Sequence, residues 1–283
     1  MNKHKRRGNP IRVILLLLLI GVGIYVNQVV IADVPPLFMP TPTPTRAPES
    51  YVTDAQTLEN EGKLSQAIEA YRQAILADPM NTGNYISLSR LLIYLNKYGE
   101  AIDAASNALL INENNAMAYA LRGWAQGLSG DYLNATASLK RAIELDPNNH
   151  IPYAYIAEVY GLQYESNTTI LGVIDNAISN SQKSRDLSPN SLETHRARGY
   201  IQELVGSYGE AVQEYAAAIE INRYIPELYM RLGRVYYYPD VAEYDLAVQA
   251  FREADLLNPS DPLPDVYLSR VYQTQGSYAT AIQ

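Results

Sequence analysis

The chain has no cysteine among its 283 residues. That excludes disulfides, thiolate metal sites, a cysteine nucleophile and lipid attachment at a cysteine. Only three histidines are present, His4, His150 and His195, too scattered to build a clustered metal site. No glycine-rich phosphate loop, HExxH helix or GxSxG elbow occurs, so nothing pairs a nucleophile with a base. The sequence therefore predicts no enzyme, no cofactor and no metal. Phenylalanine is nearly absent as well, with two residues against 24 tyrosines, and there is one tryptophan, Trp124.

Charge is scarce in one zone and one-sided in another. Residues 1–46 carry six basic residues and a single acid, Asp33. The remainder has 16 Lys and Arg against 29 Asp and Glu, a net −13. Phosphate backbones require clustered cations, so an acidic body excludes nucleic acid as a partner.

Polar side chains are missing between Val13 and Val26. Lys3, Lys5, Arg6, Arg7 and Arg12 precede this run, and few cations follow it. Extended through Ala32, the segment 13–32 reaches spanning length and predicts a transmembrane signal anchor. Residues 1–12 then form a basic cytoplasmic tail, with the body outside. Cleavage near Ala32, giving a secreted body, is the alternative. Residues 33–48 hold six prolines, which fix φ and cannot donate. They predict an extended polyproline linker, or less simply a dock for a proline-reading domain.

From there the chain repeats itself. Ala67, Ala101, Ala135, Ala177, Ala211, Ala247 and Ala281 recur at intervals of 34, 34, 42, 34, 36 and 34 residues. A small residue stands twelve positions earlier in most repeats (Ala55, Ser89, Gly123, Gly199), and an alanine or serine follows seven later (Ala74, Ala108, Ala142, Ser184, Ala218, Ala254). Proline closes several repeats at Pro79, Pro147, Pro189 and Pro259. Tyrosine opens five of them at Tyr51, Tyr85, Tyr119, Tyr153 and Tyr229.

This pattern resembles the tetratricopeptide repeat over residues 48–283. The resemblance implies an all-α, right-handed superhelical solenoid of helical hairpins, with six full repeats and a truncated seventh. The repeats fall at about 48–81, 82–115, 116–149, 150–191, 192–225, 226–261 and 262–283, with the solenoid proper at 49–283. Small residues on facing helices permit close approach, and large ones (Tyr71, Leu139, Tyr215, Phe251) fill the space beside them. Neighbouring hairpins must stack, because each alone buries too little. Insertions near Tyr164–Thr169 and Tyr238–Asp240 read as tolerated surface loops.

In this family the first helix of each hairpin lines the concave face. The resemblance thus places Arg90, Trp124, Glu158, Arg196, Tyr200, Arg234, Tyr237 and Arg270 along a groove. Arginine and aromatic side chains are frequent binding anchors, so the expected function is a membrane-anchored, extracytoplasmic scaffold holding a protein or peptide partner. Trp124 is the expected principal anchor. The Lys and Asn set that clamps a C-terminal carboxylate in chaperone-binding members is missing. Because the seventh repeat stops in mid-helix, the alternative is a recruitment or regulatory module of a larger enzyme with its catalytic domain beyond Gln283.

Overall fold

The computed structural model describes residues 9–26, 28, 46–167 and 169–276, and it divides into two units, 1–46 and 47–283. The described residues form fourteen α-helices and no strands.

The first unit contains α1 (Pro10–Tyr25), capped by Asn9, whose side chain accepts from the Ile11 N–H. The structure corrects the expected membrane anchor. This helix has 16 residues, about 24 Å at 1.5 Å per residue, against the ~20 residues a ~30 Å hydrocarbon core demands. Its apolar run stops at Val26, where Asn27 and Gln28 interrupt it. No helix among the described residues is long and apolar enough to cross a membrane. The cytoplasmic N-terminus and extracytoplasmic body, which depended on that anchor, lose their support with it. Residues 33–45 of the proline linker and the cleavage point near Ala32 lie outside the described residues, while Pro48, the linker's expected last residue, is the first of the helix that follows.

The second unit is a series of antiparallel hairpins: α2 (Pro48–Asn60) with α3 (Leu64–Ala77), α4 (Thr82–Tyr94) with α5 (Tyr98–Ile111), and α6 (Ala116–Leu128) with α7 (Tyr132–Leu145). Then come α8 (His150–Ser166) with α9 (Val173–Leu187), α10 (Leu192–Leu204) with α11 (Tyr208–Ile221), α12 (Pro226–Tyr237) with α13 (Tyr244–Leu257), and finally α14 (Leu263–Thr274). Even-numbered helices from α2 onward are the first of each pair.

Local chemistry sets these boundaries. Asn81, Asn115 and Asn149, each 34 residues apart, cap α4, α6 and α8 by accepting from Gly83, Ala118 and Ile151 N–H groups. These bonds satisfy donors that a helix start leaves free. Tyr85 and Tyr153 donate from their hydroxyls to the carbonyls of Pro79 and Pro147, both at 3.2 Å, tying each opening tyrosine to the preceding loop. Between the two helices of a hairpin the chain passes through positive φ in most repeats. Glycine occupies that position at Gly62, Gly130, Gly206 and Gly276, asparagine at Asn96.

The small-against-large pairing inside hairpins is physical contact. A Cβ added to Gly123 would stand 2.7 Å from Leu139, one on Gly199 2.8 Å from Tyr215, and one on Gly233 2.6 Å from Phe251. Such distances leave no room for any larger residue. Where serine replaces glycine, Ser89 Oγ donates to the Ala101 carbonyl at 2.9 Å and satisfies its own burial.

Candidate functional site

Two contacts bring distant repeats together. Asn96 Nδ2 donates to Asp261 Oδ2 at 2.8 Å across 165 residues of chain, and Tyr98 Oη donates back to Asn96 Oδ1 at 2.9 Å. At the preceding turn, Gly62 packs so closely on Tyr224 that a Cβ there would lie 2.2 Å from the ring. The solenoid has therefore coiled round until its first two hairpin turns meet the loops before α12 and α14.

This closure turns the concave face into an interior. Trp124 is 1% exposed. Its ring stacks on Tyr155 at 4.4 Å between centroids, with Tyr94 edge-on at 6.3 Å. The indole Nε1 donates to Glu158 Oε2 at 2.8 Å, and Arg196 Nε donates to Glu158 Oε1 at the same distance. The Arg196 guanidinium lies 3.9 Å above the Trp124 ring. Trp124, Glu158 and Arg196 thus form one sealed cluster from α6, α8 and α10. A carboxylate between an indole N–H and a guanidinium is well provided for, since charge-assisted bonds to both oxygens offset much of its desolvation. Burial still raises the Glu158 carboxyl above its ordinary range, opposed chiefly by Arg196.

A second cluster follows one repeat later. Tyr200 is fully buried under the Arg231 guanidinium, 3.9 Å from the ring centroid, and donates to Glu165 Oε2 at 2.6 Å. Arg231 bonds Glu227 one turn earlier. Arg234 Nη2 lies 3.1 Å from both Glu165 and Glu203. Glu165 belongs to the expected insertion, which lengthens α8 by about a turn; this insertion is thus part of the inner wall rather than only a surface loop. Burial disfavours charge on Arg234, but Glu203 more than offsets that and holds it protonated.

The remaining candidates stand apart. Arg90 pairs with Glu59 at 2.7 Å in the first two repeats. Tyr237 is half-buried, its hydroxyl 3.2 Å from Thr274 Oγ1. Arg270 is exposed, with its guanidinium 5.3 Å over Tyr267. His150 and His195 meet carboxylates, at 3.6 Å from Glu193 and 2.6 Å from Glu214. Among the described residues no group of three His, Asp or Glu residues could hold a metal ion.

Where the coil closes, a cleft of about 260 Å³ remains. Asn96, Tyr98, Leu128 and Leu162 line one side, and Glu227, Met230, Arg231, Arg234, Asp261, Leu263 and Tyr267 the other, so two acids face the two arginines there. Arg231 is 7% exposed, and its Nη1 has no hydrogen-bond partner among the described residues. A buried donor left unpaired costs about 1–3 kcal/mol; Arg196 Nη1 and Nη2, in the sealed cluster, are unpartnered among the described residues as well. Arg231, Glu165, Glu203 and Glu227 were not singled out from sequence. Their common signal was positional: charged residues at inward-facing helix positions where a closed coil has no water.

Residues 48–81 and 116–149 match the tetratricopeptide repeat family. The chain is 25% identical over 227 residues to the BBSome complex member BBS4 of Bos taurus, covering 80% of this chain and 42% of that protein. It is 25% identical over 145 residues to an Hsp70-Hsp90 organising protein of Plasmodium falciparum, covering 51% and 58% respectively. It therefore spans about half the length of these relatives. Among solved structures, the Cut9–Hcn1 tetramer of the APC/C aligns with a TM-score of 0.59 at 16% identity, over 83% of this chain and 44% of that one. A thermophilic repeat protein of Thermus thermophilus aligns at 0.56 and 20% identity, over 68% of this chain and all of its own. At those identities the structural likeness establishes the fold alone.

Proposed function

We propose that this chain, two of whose segments match the tetratricopeptide repeat family, is a scaffold for protein interactions that holds a peptide or protein partner at its concave face, in the cleft where the coil closes. The observation that carries this reading is the unpartnered Nη1 of Arg231, a residue lining a cleft that combines Leu128, Leu162, Met230 and Leu263 with two tyrosines and the charged Glu227, Arg234 and Asp261. An extended segment could place a backbone carbonyl on that donor and an apolar side chain between Leu128, Leu162 and Met230.

The eight inward residues then divide by role. Trp124, Glu158, Arg196 and Tyr200 are sealed and hold the inner helices in register, forming the floor. Arg234 lines the cleft and supplies a contact there, while Tyr237 on α12, Arg270 on α14 and Arg90 in the second repeat lie beyond it and would widen the contact surface. Contacts from partly exposed arginines act chiefly on association rate and are weakened by salt.

Site-specific photocrosslinking tests this. A benzophenone side chain in place of Tyr267, which lines the cleft, should capture the partner, and one in place of Leu133, exposed on outer helix α7, should not. Arg234→Ala should weaken affinity for the captured partner about tenfold, with binding falling as salt rises. Capture at position 133 with none at 267 would move the site off the concave face.

A further inference from the structure

We infer that the outer face of the first two repeats is a second, separate docking surface, and that it takes an amphipathic helix with a basic border. A cavity of about 490 Å³ opens between α3 and α5, over α4. Its apolar lining comes from Ile75, Leu76, Leu88 and Leu92. Leu76 is 74% exposed, and Leu110, the equivalent residue one repeat later, is 84% exposed.

Those two leucines are not needed by the hairpin. The same outward position in the third, fourth and fifth repeats is held by Glu144, Asp186 and Glu220, all exposed or partly so; in the sixth it is Leu256. The hairpin thus folds equally with a carboxylate at this site. Leu76 lines the open cavity on α3, and Leu110 repeats it one hairpin later on α5; Leu256 is exposed likewise in the sixth repeat, but lines neither this cavity nor the cleft where the coil closes. Isolated exposed leucines need no explanation, but an exposed leucine at the mouth of an apolar concavity marks a contact surface.

Charge specifies the occupant. The cavity border carries Glu69, Glu100 and Asp103 against Arg72. Arg72 is already engaged, with Nη2 2.5 Å from Glu100 and Nη1 3.6 Å from Glu69. With Glu69 and Glu100 sharing Arg72 and Asp103 beside them, the border keeps a net charge of −2, three acids less one base, which attracts lysine and arginine and repels acidic partners. Two parallel helices with an apolar trough between them accept a third helix, whose anchors at i, i+3 or i+4 and i+7 fill the trough. The volume suits one or two large side chains of such a helix.

The probe is a fluorescein-labelled helix of leucine and lysine, about fourteen residues or four turns long, with an otherwise identical leucine–glutamate peptide beside it. Titrated with the full chain, the Leu/Lys peptide should bind at least tenfold more tightly than the Leu/Glu peptide. Leu76→Glu should cost about tenfold, the factor expected from losing one buried leucine. Asp103→Lys should narrow the gap between the two peptides. Leucine methyl spectra should move at Leu76, Leu88, Leu92 and Leu110 and stay fixed at Leu128 and Leu162. Equal binding to wild type and Leu76→Glu, or no preference for the basic peptide, overturns the proposal. Loss on Arg234→Ala, with Leu76→Glu unaffected, would place the peptide in the concave cleft and also overturn it, while leaving the concave reading intact.

Discussion

Asn96 Nδ2 donates to Asp261 Oδ2 at 2.8 Å, joining the turn between α4 and α5 to the loop before α14. Asn96 occupies the left-handed turn position, at φ 59°, where four other hairpins use glycine. Asparagine tolerates that conformation better than most residues, because its short polar side chain can bond locally. It contributes what glycine cannot, an amide that reaches across the coil. The same residue thus serves its hairpin and closes the superhelix.

Gly62 and Gly130 separate the strain of that turn from the contact across the coil. Both have positive φ, 76° and 89°, so alanine at either should cost about 1–2 kcal/mol for left-handed backbone. An added Cβ at Gly130 meets nothing within 4 Å, whereas at Gly62 it strikes the Tyr224 ring. Gly62→Ala should therefore cost about 1–3 kcal/mol more than Gly130→Ala in urea unfolding. Equal losses would mean that Gly62 and Tyr224 are not packed together in solution.

Trp124 belongs to the interior, and its removal should be felt in stability. Trp124→Ala should cost about 3–5 kcal/mol. Arg196→Met, which leaves Glu158 buried without its cation, should cost a similar amount. Adding Glu158→Leu to Arg196→Met should recover part of that loss, since an unpaired buried charge is worse than none. The check is urea unfolding followed by far-ultraviolet circular dichroism, which reads the helices whether or not Trp124, the only tryptophan, is present. A double variant less stable than Arg196→Met alone would contradict the pairing.

Acid should unload the inner wall unevenly. Burial opposes ionisation of Glu193 and Glu227, but the neighbouring His150, 3.6 Å away, and Arg196 hold Glu193 low, and Arg231 with Arg196 hold Glu227 low. Their folded values lie below the unfolded ~4.3, so each contributes stability that is present above ~4.3 and lost as pH falls through the folded value. Glu158, raised by burial, has the opposite sign: its contribution is full below the unfolded value and lost as pH rises through the folded one. Glu227→Gln should flatten the fall in urea midpoint below about pH 4, whereas Glu158→Gln should leave that fall unchanged and instead remove a gain in midpoint as pH drops from neutral toward ~4.3. The same pH profile in both variants and wild type would contradict these assignments.

The hairpins were legible in the sequence because their determinants are local. Gly123 against Leu139 and Gly233 against Phe251 are contacts within one repeat, and periodicity alone places them opposite each other. The sealing of Trp124, Glu158 and Tyr200 was not legible. Their phase puts them on the concave face, but whether that face holds water depends on the coil's curvature. Curvature is the accumulated angle between many helix pairs, each within the ordinary scatter of packing. A deviation too small to read at one hairpin decides, after five, whether Asn96 meets Asp261. Glu165 was missed for a related reason: an insertion is scored as surplus until the repeat it faces is known. The N-terminal apolar run was overread, since hydropathy sets where a helix can form but Asn27 and Gln28 interrupt it short of spanning length.

The distance between the second hairpin turn and the loop before α14 decides whether the coil is closed, and the cleft exists only if it is. The chain has no cysteine, so Lys97→Cys with Ser260→Cys introduces two spin labels and no others, both at exposed positions. Pulsed dipolar spectroscopy on this variant should give one short, narrow distance distribution, because the flanking residues Asn96 and Asp261 are hydrogen-bonded. Asn96→Gly, which keeps the turn and removes the bridging amide, should broaden it. A long, broad distribution in the variant that retains Asn96 would mean an open superhelix, with Trp124 and Tyr200 facing solvent and no cleft at Arg231.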